Sequence, residues 1–232
     1  MSKIAIIPAR GGSKRIKGKN IRDFCGKAII AYSIESAINS GIFDEVMVST
    51  DNDDIASIAK SYGAEVPFLR SQENASDHAT TYAVINEVLN EYIKRGRDFK
   101  YCCCLYPTAP FVTPDMLMEA WTKLNSSGVE AVFTITPFSY PIQRALHLVD
   151  ANPKMKHPEN VKKRSQDLEA HYHDAGMFYF YKSRIYLEKK TVFEMQSKAI
   201  IVPELRAQDI DNETDWKLAE LKYRFLNNEI ND

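Results

Sequence analysis

The chain has 232 residues, 44% hydrophobic and 26% charged, an ordinary globular composition that lets a single fold bury about 70% of the unfolded surface. Collagen, a disordered tail and a disulfide-stapled mini-protein are excluded, and no run of 18 apolar residues offers a membrane span. Net charge is −1, so no global field for nucleic acid or lipid exists, yet residues 8 to 22 (PARGGSKRIKGKNIR) carry six cations and no acid, leaving about −7 on the remainder.

The elements follow in chain order. Lys3 to Ala9 (KIAIIPA) is a continuous apolar run of buried-strand type, and the glycine-rich basic loop follows it. From Ala28 the apolar spacing becomes helical through Ile30, Ile34, Ala37 and Ile38, stopped by Gly41. Glu45 to Thr50 predicts a strand, and Ile55, Ile58, Ala59 and Tyr62 a helix before Gly63. A short strand over Val66 to Leu69, a helix through Ile85, Val88, Leu89 and Tyr92, and a strand over Tyr101 to Tyr106 come next. Thr113, Pro114 and Asp115 supply an N-cap, a first-turn proline and a first-turn acid, so a helix is expected from about Pro114 to Asn125. Ala131 to Thr136, Gly176 to Tyr181 and Ile200 to Val202 predict further strands, and Trp216, Ala219, Tyr223 and Leu226 a closing helix.

This alternation implies a three-layer α/β/α fold with a mainly parallel, Rossmann-like sheet, a single domain over 1–232. Residues 137–173 break the rhythm: rich in Pro, His, Lys and Gln, they are too many for a connector and predict an inserted arm or hairpin. The N-terminus has no signal-peptide core, so a cytoplasmic protein is expected. Cys25 and the consecutive Cys102, Cys103 and Cys104 lack the spacing of zinc or redox sites and read as reduced structural thiols.

In an open α/β sheet, ligands sit at the carboxyl ends of the strands, so the basic loop lies where an anion would bind. Its glycines let backbone N–H groups approach and its cations neutralise the ligand. It is not a known phosphate loop: G-x-G-x-x-G is absent, five residues separate Gly12 from Gly18 where a P-loop has four, and Asn20 stands where Ser or Thr is needed. Asp209 and Asp211 flank Ile210. In an extended segment both carboxylates share a face, which suits a hard cation such as Mg²⁺, with helix capping as the alternative.

IIPARGGSKRIKGKNI, with the following GKAIIAYSIESAINSGIFDEVMVSTDNDDIASIAKSYGAEVPFLR, resembles the opening of the cytidylyltransferases that activate nonulosonic (sialic-type) acids, and the likeness runs from about Ile4 to Trp216. The resemblance implies a nucleotidyltransferase fold, a CTP co-substrate, Mg²⁺ and a homodimer in which the arm reaches the neighbouring copy. It places Arg10, Ser13, Lys14 and Lys19 on the triphosphate, Lys19 nearest the α-phosphate, and Asn20, Arg70, Ala79 and Thr81 around cytosine and ribose. It also makes Asp209 and Asp211 the metal pair; Arg15 and Lys17 read as solvent-facing charges.

Tyr106 precedes Pro107-Thr108-Ala109-Pro110 where sialic-acid enzymes tend to have glutamine. PIQRAL, RSQDLE and HYHDAGMFY instead resemble pseudaminic acid cytidylyltransferases. A nonulosonic acid presents a carboxylate and acylamino groups, for which Arg144 and Arg164 are candidate clamps and Gln166 and Asp174 hydrogen-bond partners, with a plain arm surface as the alternative. The expected reaction is CTP plus pseudaminic acid to CMP-sugar and pyrophosphate. The same reaction on N-acetylneuraminic acid, a non-catalytic CTP-binding module and a nucleic-acid binder are the competing readings; the acidic remainder of the chain and the lack of a stacking-aromatic motif weigh against the last.

Overall fold

The computed structural model describes residues 2–228. Strands β1 (Lys3–Pro8), β4 (Glu45–Ser49), β5 (Tyr101–Leu105), β6 (Ala131–Pro137), β9 (Tyr172–Lys182) and β10 (Ser197–Ile201) form one sheet in the order β10-β6-β9-β5-β1-β4. Pairs β1–β4, β1–β5 and β10–β6 are parallel, whereas β9 runs antiparallel to both its neighbours. Helices α1 (Ile29–Asn39), α2 (Asp53–Ser61), α3 (Gln72–Ala75), α4 (Thr81–Lys94), α5 (Pro114–Leu124), α6 (Ser183–Lys189) and α7 (Glu213–Leu226) connect or flank the strands.

The continuous apolar run of β1 is explained by burial on both faces. Ala5 and Ile7 pack with Ile30 and Ile34 of α1, Leu117 of α5 and Trp216 of α7; Ile4 and Ile6 pack with Ile85, Val88 and Leu89 of α4 on the opposite face. The cysteines of β5 divide the same way, Cys103 into the first core and Cys102 and Cys104 into the second. Burial pushes the Cys102 thiol up to about 12 and the other two well above the ordinary thiol range, so all three stay protonated.

Helix starts follow side-chain chemistry. Thr113 accepts from the Met116 N–H with Pro114 in the first turn, as the sequence predicts. The expected strand over Val66 to Leu69 does not form. Glu65 alone bridges Met47 at the sheet edge, and Pro67, without an N–H, cannot extend the ladder. The strand predicted over Gly176 to Tyr181 is longer, from Tyr172, and α6 was not anticipated at all.

Two small hairpins complete the chain. β2 (Asp23–Phe24) and β3 (Lys27–Ala28) join through Cys25 and Gly26, both at positive φ (49° and 99°), as a two-residue hairpin turn demands. Phe24 then sits edge-on to Trp216 at 5.6 Å, docking α7 against this hairpin. Between β6 and β9 the chain leaves the sheet and carries a ribbon of β7 (Leu146–Val149) and β8 (Asn152–Met155), whose Leu146 and Leu148 are 62% and 73% exposed.

Candidate active site

The loop after β1 is shaped by its anchors. Ile16 is buried in the core, so the residues on either side of it arch over the carboxyl end of the sheet. The Gly11 N–H donates to Asp51 Oδ1 at 2.8 Å, and a Cβ at Gly11 would stand 2.9 Å from the Asn52 Cβ, so only glycine fits this approach. The buried Asn20 side chain donates to the Arg10 carbonyl at 3.0 Å and ties the two ends of the loop together.

Beneath the loop lies a cleft of about 550 Å³. Arg10, Ser13, Lys14, Lys19, Asn20, Arg70, Ala79, Thr81, Tyr106, Asp209 and Asp211 all line it, so residues up to 201 positions apart in sequence share one cavity. Arg70 is 8% exposed and reaches from beyond β4 to donate to Ser49 Oγ at 3.1 Å. Burial lowers its pKa, against the opposing pull of Asp51 and Glu87.

Lys19 extends across the cleft to the acidic segment, donating to the Ile210 carbonyl and lying 4.0 Å from Asp211 Oδ1. Burial lowers its pKa, while the Asp211 and Asp209 charges hold it up. Asp209 is raised, first by desolvation from surrounding protein atoms and next by the charge of Asp211. Two mutually repelling carboxylates on a basic cleft fit a hard cation. Among the described residues no group of three or more acidic, His or Cys ligands exists, so a cation here would need phosphate oxygens and water to complete its shell.

Helix capping does not occupy the acidic pair. Asn212 accepts from Thr214 and Asp215, and Asp215 Oδ2 accepts from the N–H groups of Asp211 and Asn212, which completes the capping box of α7. Ile210 is fully buried between them, and Lys222 of α7 donates to Ala207 O at 2.9 Å and Gln208 Oε1 at 3.0 Å, fixing the approach to Asp209.

Sequence reasoning missed three contributors. Asp77 accepts from Arg10 at 2.5 Å and pairs with Lys14, which together, Lys14 foremost, pull its carboxyl below the ordinary range. Arg15 is exposed, as expected, but also pairs with Asp211 Oδ2 at 2.8 Å and lines the cleft, which its sequence position did not reveal. Lys222 lies outside any motif. Asp77 was open to discovery only as an acid facing a cationic loop from a distant position, which no spacing reveals.

The acceptor-side residues separate into two groups. Asp174 lines a second cavity of about 340 Å³ that shares Thr81 and Tyr106 with the main cleft. Arg144, Arg164 and Gln166 line neither. Arg144 donates to the Lys163 carbonyl, and Arg164 grips Asp167 through Nε at 2.9 Å and its terminal nitrogen at 3.2 Å. Gln166 is exposed on the arm. Within one chain these three belong to the arm.

Three kinds of similarity accompany this geometry. The chain is 43% identical over 225 residues to a pseudaminic acid cytidylyltransferase of Campylobacter jejuni, covering 97% of each. It is 32% identical to a CMP-N,N'-diacetyllegionaminic acid synthase of Legionella pneumophila, again covering 97% of each. A solved CMP:2-keto-3-deoxy-manno-octonic acid synthetase complexed with CTP superposes with a TM-score of 0.70 at 16% identity, covering 99% of this chain and 100% of that one, a likeness of fold. The profile of the cytidylyltransferase family matches residues 4–227, and the chain belongs to that family.

Proposed function

We propose that this enzyme transfers CMP from CTP to pseudaminic acid and releases pyrophosphate. The observation that carries the reading is the one cleft lined together by the loop cations Arg10, Lys14 and Lys19, by Asp209 and Asp211, and by Tyr106. The pseudaminic acid assignment rests on the 43% identical Campylobacter relative and on the PIQRAL, RSQDLE and HYHDAGMFY segments.

A triphosphate carries about four negative charges, which must be screened and held in line before an oxygen can approach the α-phosphorus. Arg10, Ser13 and Lys14 hold the β- and γ-phosphates, and Lys19, the most enclosed of the loop cations, takes the α-phosphate. Asn20, Arg70, Ala79 and Thr81 enclose cytosine and ribose. The anomeric hydroxyl oxygen of the sugar bonds to the α-phosphorus, its proton passing to water, as the bond to the bridging oxygen breaks and pyrophosphate leaves. Mg²⁺, held by Asp209 and Asp211 with phosphate oxygens, would neutralise charge on the leaving group.

The arm completes the acceptor site from a second copy in a homodimer. It exposes Phe138, Tyr140, Leu146, Leu148 and Val161, apolar side chains a partner could cover, and Arg144, Arg164 and Gln166 are absent from the chain's own cleft. A cytoplasmic setting fits four thiols kept reduced, three of them sealed in the core. No helix among the described residues is long and apolar enough to cross a membrane.

Pyrophosphate release from CTP, measured over a panel of nonulosonic acids, tests the proposal. Sugar-dependent release greatest with pseudaminic acid supports it; CTP binding without release on any sugar overturns it. Preference for a legionaminic acid would move the assignment toward the Legionella relative.

A further inference from the structure

A pair of carboxylates binds a hard cation well when its oxygens are already held where the metal needs them, because ordering a mobile segment on binding is subtracted from the affinity. Segment 209–211 belongs to no helix or strand, yet its main chain is tied at three consecutive residues. The Asp209 carbonyl accepts from Gln208 Nε2 at 3.0 Å, the Ile210 carbonyl accepts from Lys19, and the Asp211 N–H donates to Asp215 Oδ2 at 2.9 Å. The buried Ile210 side chain anchors the middle of the segment. Two of these ties belong to groups already described, the loop cation and the α7 capping box. The third leads out of the cleft, through Gln208 to Lys222.

Lys222 stands on α7, half-buried and 14 residues beyond Gln208. Its ammonium has three N–H donors and no acceptor, and three oxygens receive them: the Glu204 carbonyl at 3.1 Å, the Ala207 carbonyl at 2.9 Å and Gln208 Oε1 at 3.0 Å. The last contact fixes the Gln208 amide. An ammonium only donates, so the Gln208 atom it meets is the oxygen, and the amide NH2 is turned to the Asp209 carbonyl. All three acceptors are uncharged, so these bonds clip the chain before Asp209 to the helix and neutralise no acid. Neither Lys222 nor Gln208 lines the cleft, so whatever they do there is done through Asp209.

We infer that Lys222, acting through Gln208, is a positioning residue for Asp209: it presets the main chain from which that carboxylate projects and so sets the affinity of the acidic pair for a divalent cation. The inference rests on the proposed function in taking Asp209 and Asp211 as the metal pair, and it adds what holds them in register. The sign of the effect separates positioning from charge. By Coulomb's law alone, removing a cation near a metal site tightens metal binding, whereas removing the clip that orders a ligand weakens it.

The test is Mn²⁺ binding to the full chain with CTP and no sugar, Mn²⁺ standing in for Mg²⁺ as a hard cation with a paramagnetic signal. Free Mn²⁺ is read by electron paramagnetic resonance and corrected for the ion that CTP alone takes up. Lys222→Met keeps an unbranched apolar stem and removes the donors. Its Mn²⁺ affinity is expected to fall about tenfold, the scale of losing an outer partner of a metal ligand. CTP binding in EDTA and the melting temperature should stay near the parent's, since α7 is docked independently by the buried Trp216 and Ala219. Gln208→Leu should weaken Mn²⁺ as well, and the double variant Gln208→Leu/Lys222→Met should fall short of the summed effects, because both break one clip.

Mn²⁺ bound by Lys222→Met as in the parent or more tightly, a parallel loss of CTP binding in EDTA, or additive effects in the double variant overturns the inference while the functional proposal stands. If Lys222→Met does not fold, Gln208→Leu carries the same metal-specific prediction. A parent that takes up no Mn²⁺ beyond CTP alone, or an Asp209→Asn/Asp211→Asn variant that takes up as much as the parent, removes the metal pair from the functional proposal, and this inference with it.

Discussion

The nucleotide end and the acceptor end of the cleft are built by different means. At the nucleotide end, one loop of about a dozen residues is fixed by a buried isoleucine, a glycine approach and an asparagine tie, and its cations point into the cavity without help from another chain. At the acceptor end, the Tyr106 ring packs edge-on against Tyr179, which lies beside a bulge some 70 positions away, and Arg144 and Arg164 lie on an arm that makes its own contacts. In our proposal, triphosphate binding is thus led by one segment, whereas sugar recognition draws on distant parts of the fold and on the dimer.

The largest effect should fall at the nucleotide end. Lys19→Ala removes the most enclosed of the loop cations from the proposed site of transfer, and turnover should fall by about 10²–10³ while the melting temperature barely moves. Near wild-type turnover would take Lys19 out of the mechanism and place the essential charge elsewhere on the loop.

Next come the carboxylates. Asp209→Asn and Asp211→Asn should each raise the Mg²⁺ concentration for half-maximal rate by roughly tenfold, since ligand charge sets affinity for a hard cation. A pH signature accompanies this. Because the Asp209 pKa is raised, protons compete with the metal from a higher pH than at an ordinary aspartate, so the Mg²⁺ requirement of the parent should climb as pH falls through that raised pKa. Asp209→Asn should flatten the climb. Variants that titrate with Mg²⁺ like the parent would put the metal elsewhere.

The acceptor end should respond to dissociation instead. Leu148 is 73% exposed on the β7–β8 ribbon, so Leu148→Glu costs a lone chain little but places a charge in the proposed dimer contact. Sedimentation at micromolar concentration should show a dimer for the parent and a monomer for the variant, with the sugar KM raised at unchanged CTP KM. A parent that sediments as a fully active monomer ends the proposal for the arm.

This contrast also explains what could be read in the sequence. The sheet was legible because strands buried on both faces, such as Ile4–Ile7 and Cys102–Leu105, are continuous apolar runs, and helices announce themselves at Thr113 and Gly41. The loop was legible because its glycines and cations are neighbours in the chain. The antiparallel β9 was only partly legible: the polar His173 and Asp174, paired with β6 on the arm side of the bulge, and Gly176 within it interrupt the apolar pattern, so the start of the strand looked like coil. Asp77 and Lys222 escaped because each acts across a long sequence separation with no motif around it.

Asp77 supplies the smallest and most discriminating test of the nucleotide end. Its carboxylate accepts from Arg10 and pairs with Lys14, two of the cations proposed to grip the triphosphate, so it stands where a phosphate oxygen would compete for the same donors. The pair is partly open to water, where such contacts are weak, and a ligand bearing several charges should displace it readily. Asp77→Asn removes the competing charge and keeps the shape; CTP should bind a few-fold more tightly, most visibly at low ionic strength, with the sugar KM unchanged. Calorimetric titration with CTP at two salt concentrations checks this. Weaker binding in the variant would show that Asp77 serves instead to hold Arg10 and Lys14 in the geometry the triphosphate needs, and the nucleotide end would then share the long-range construction of the acceptor end.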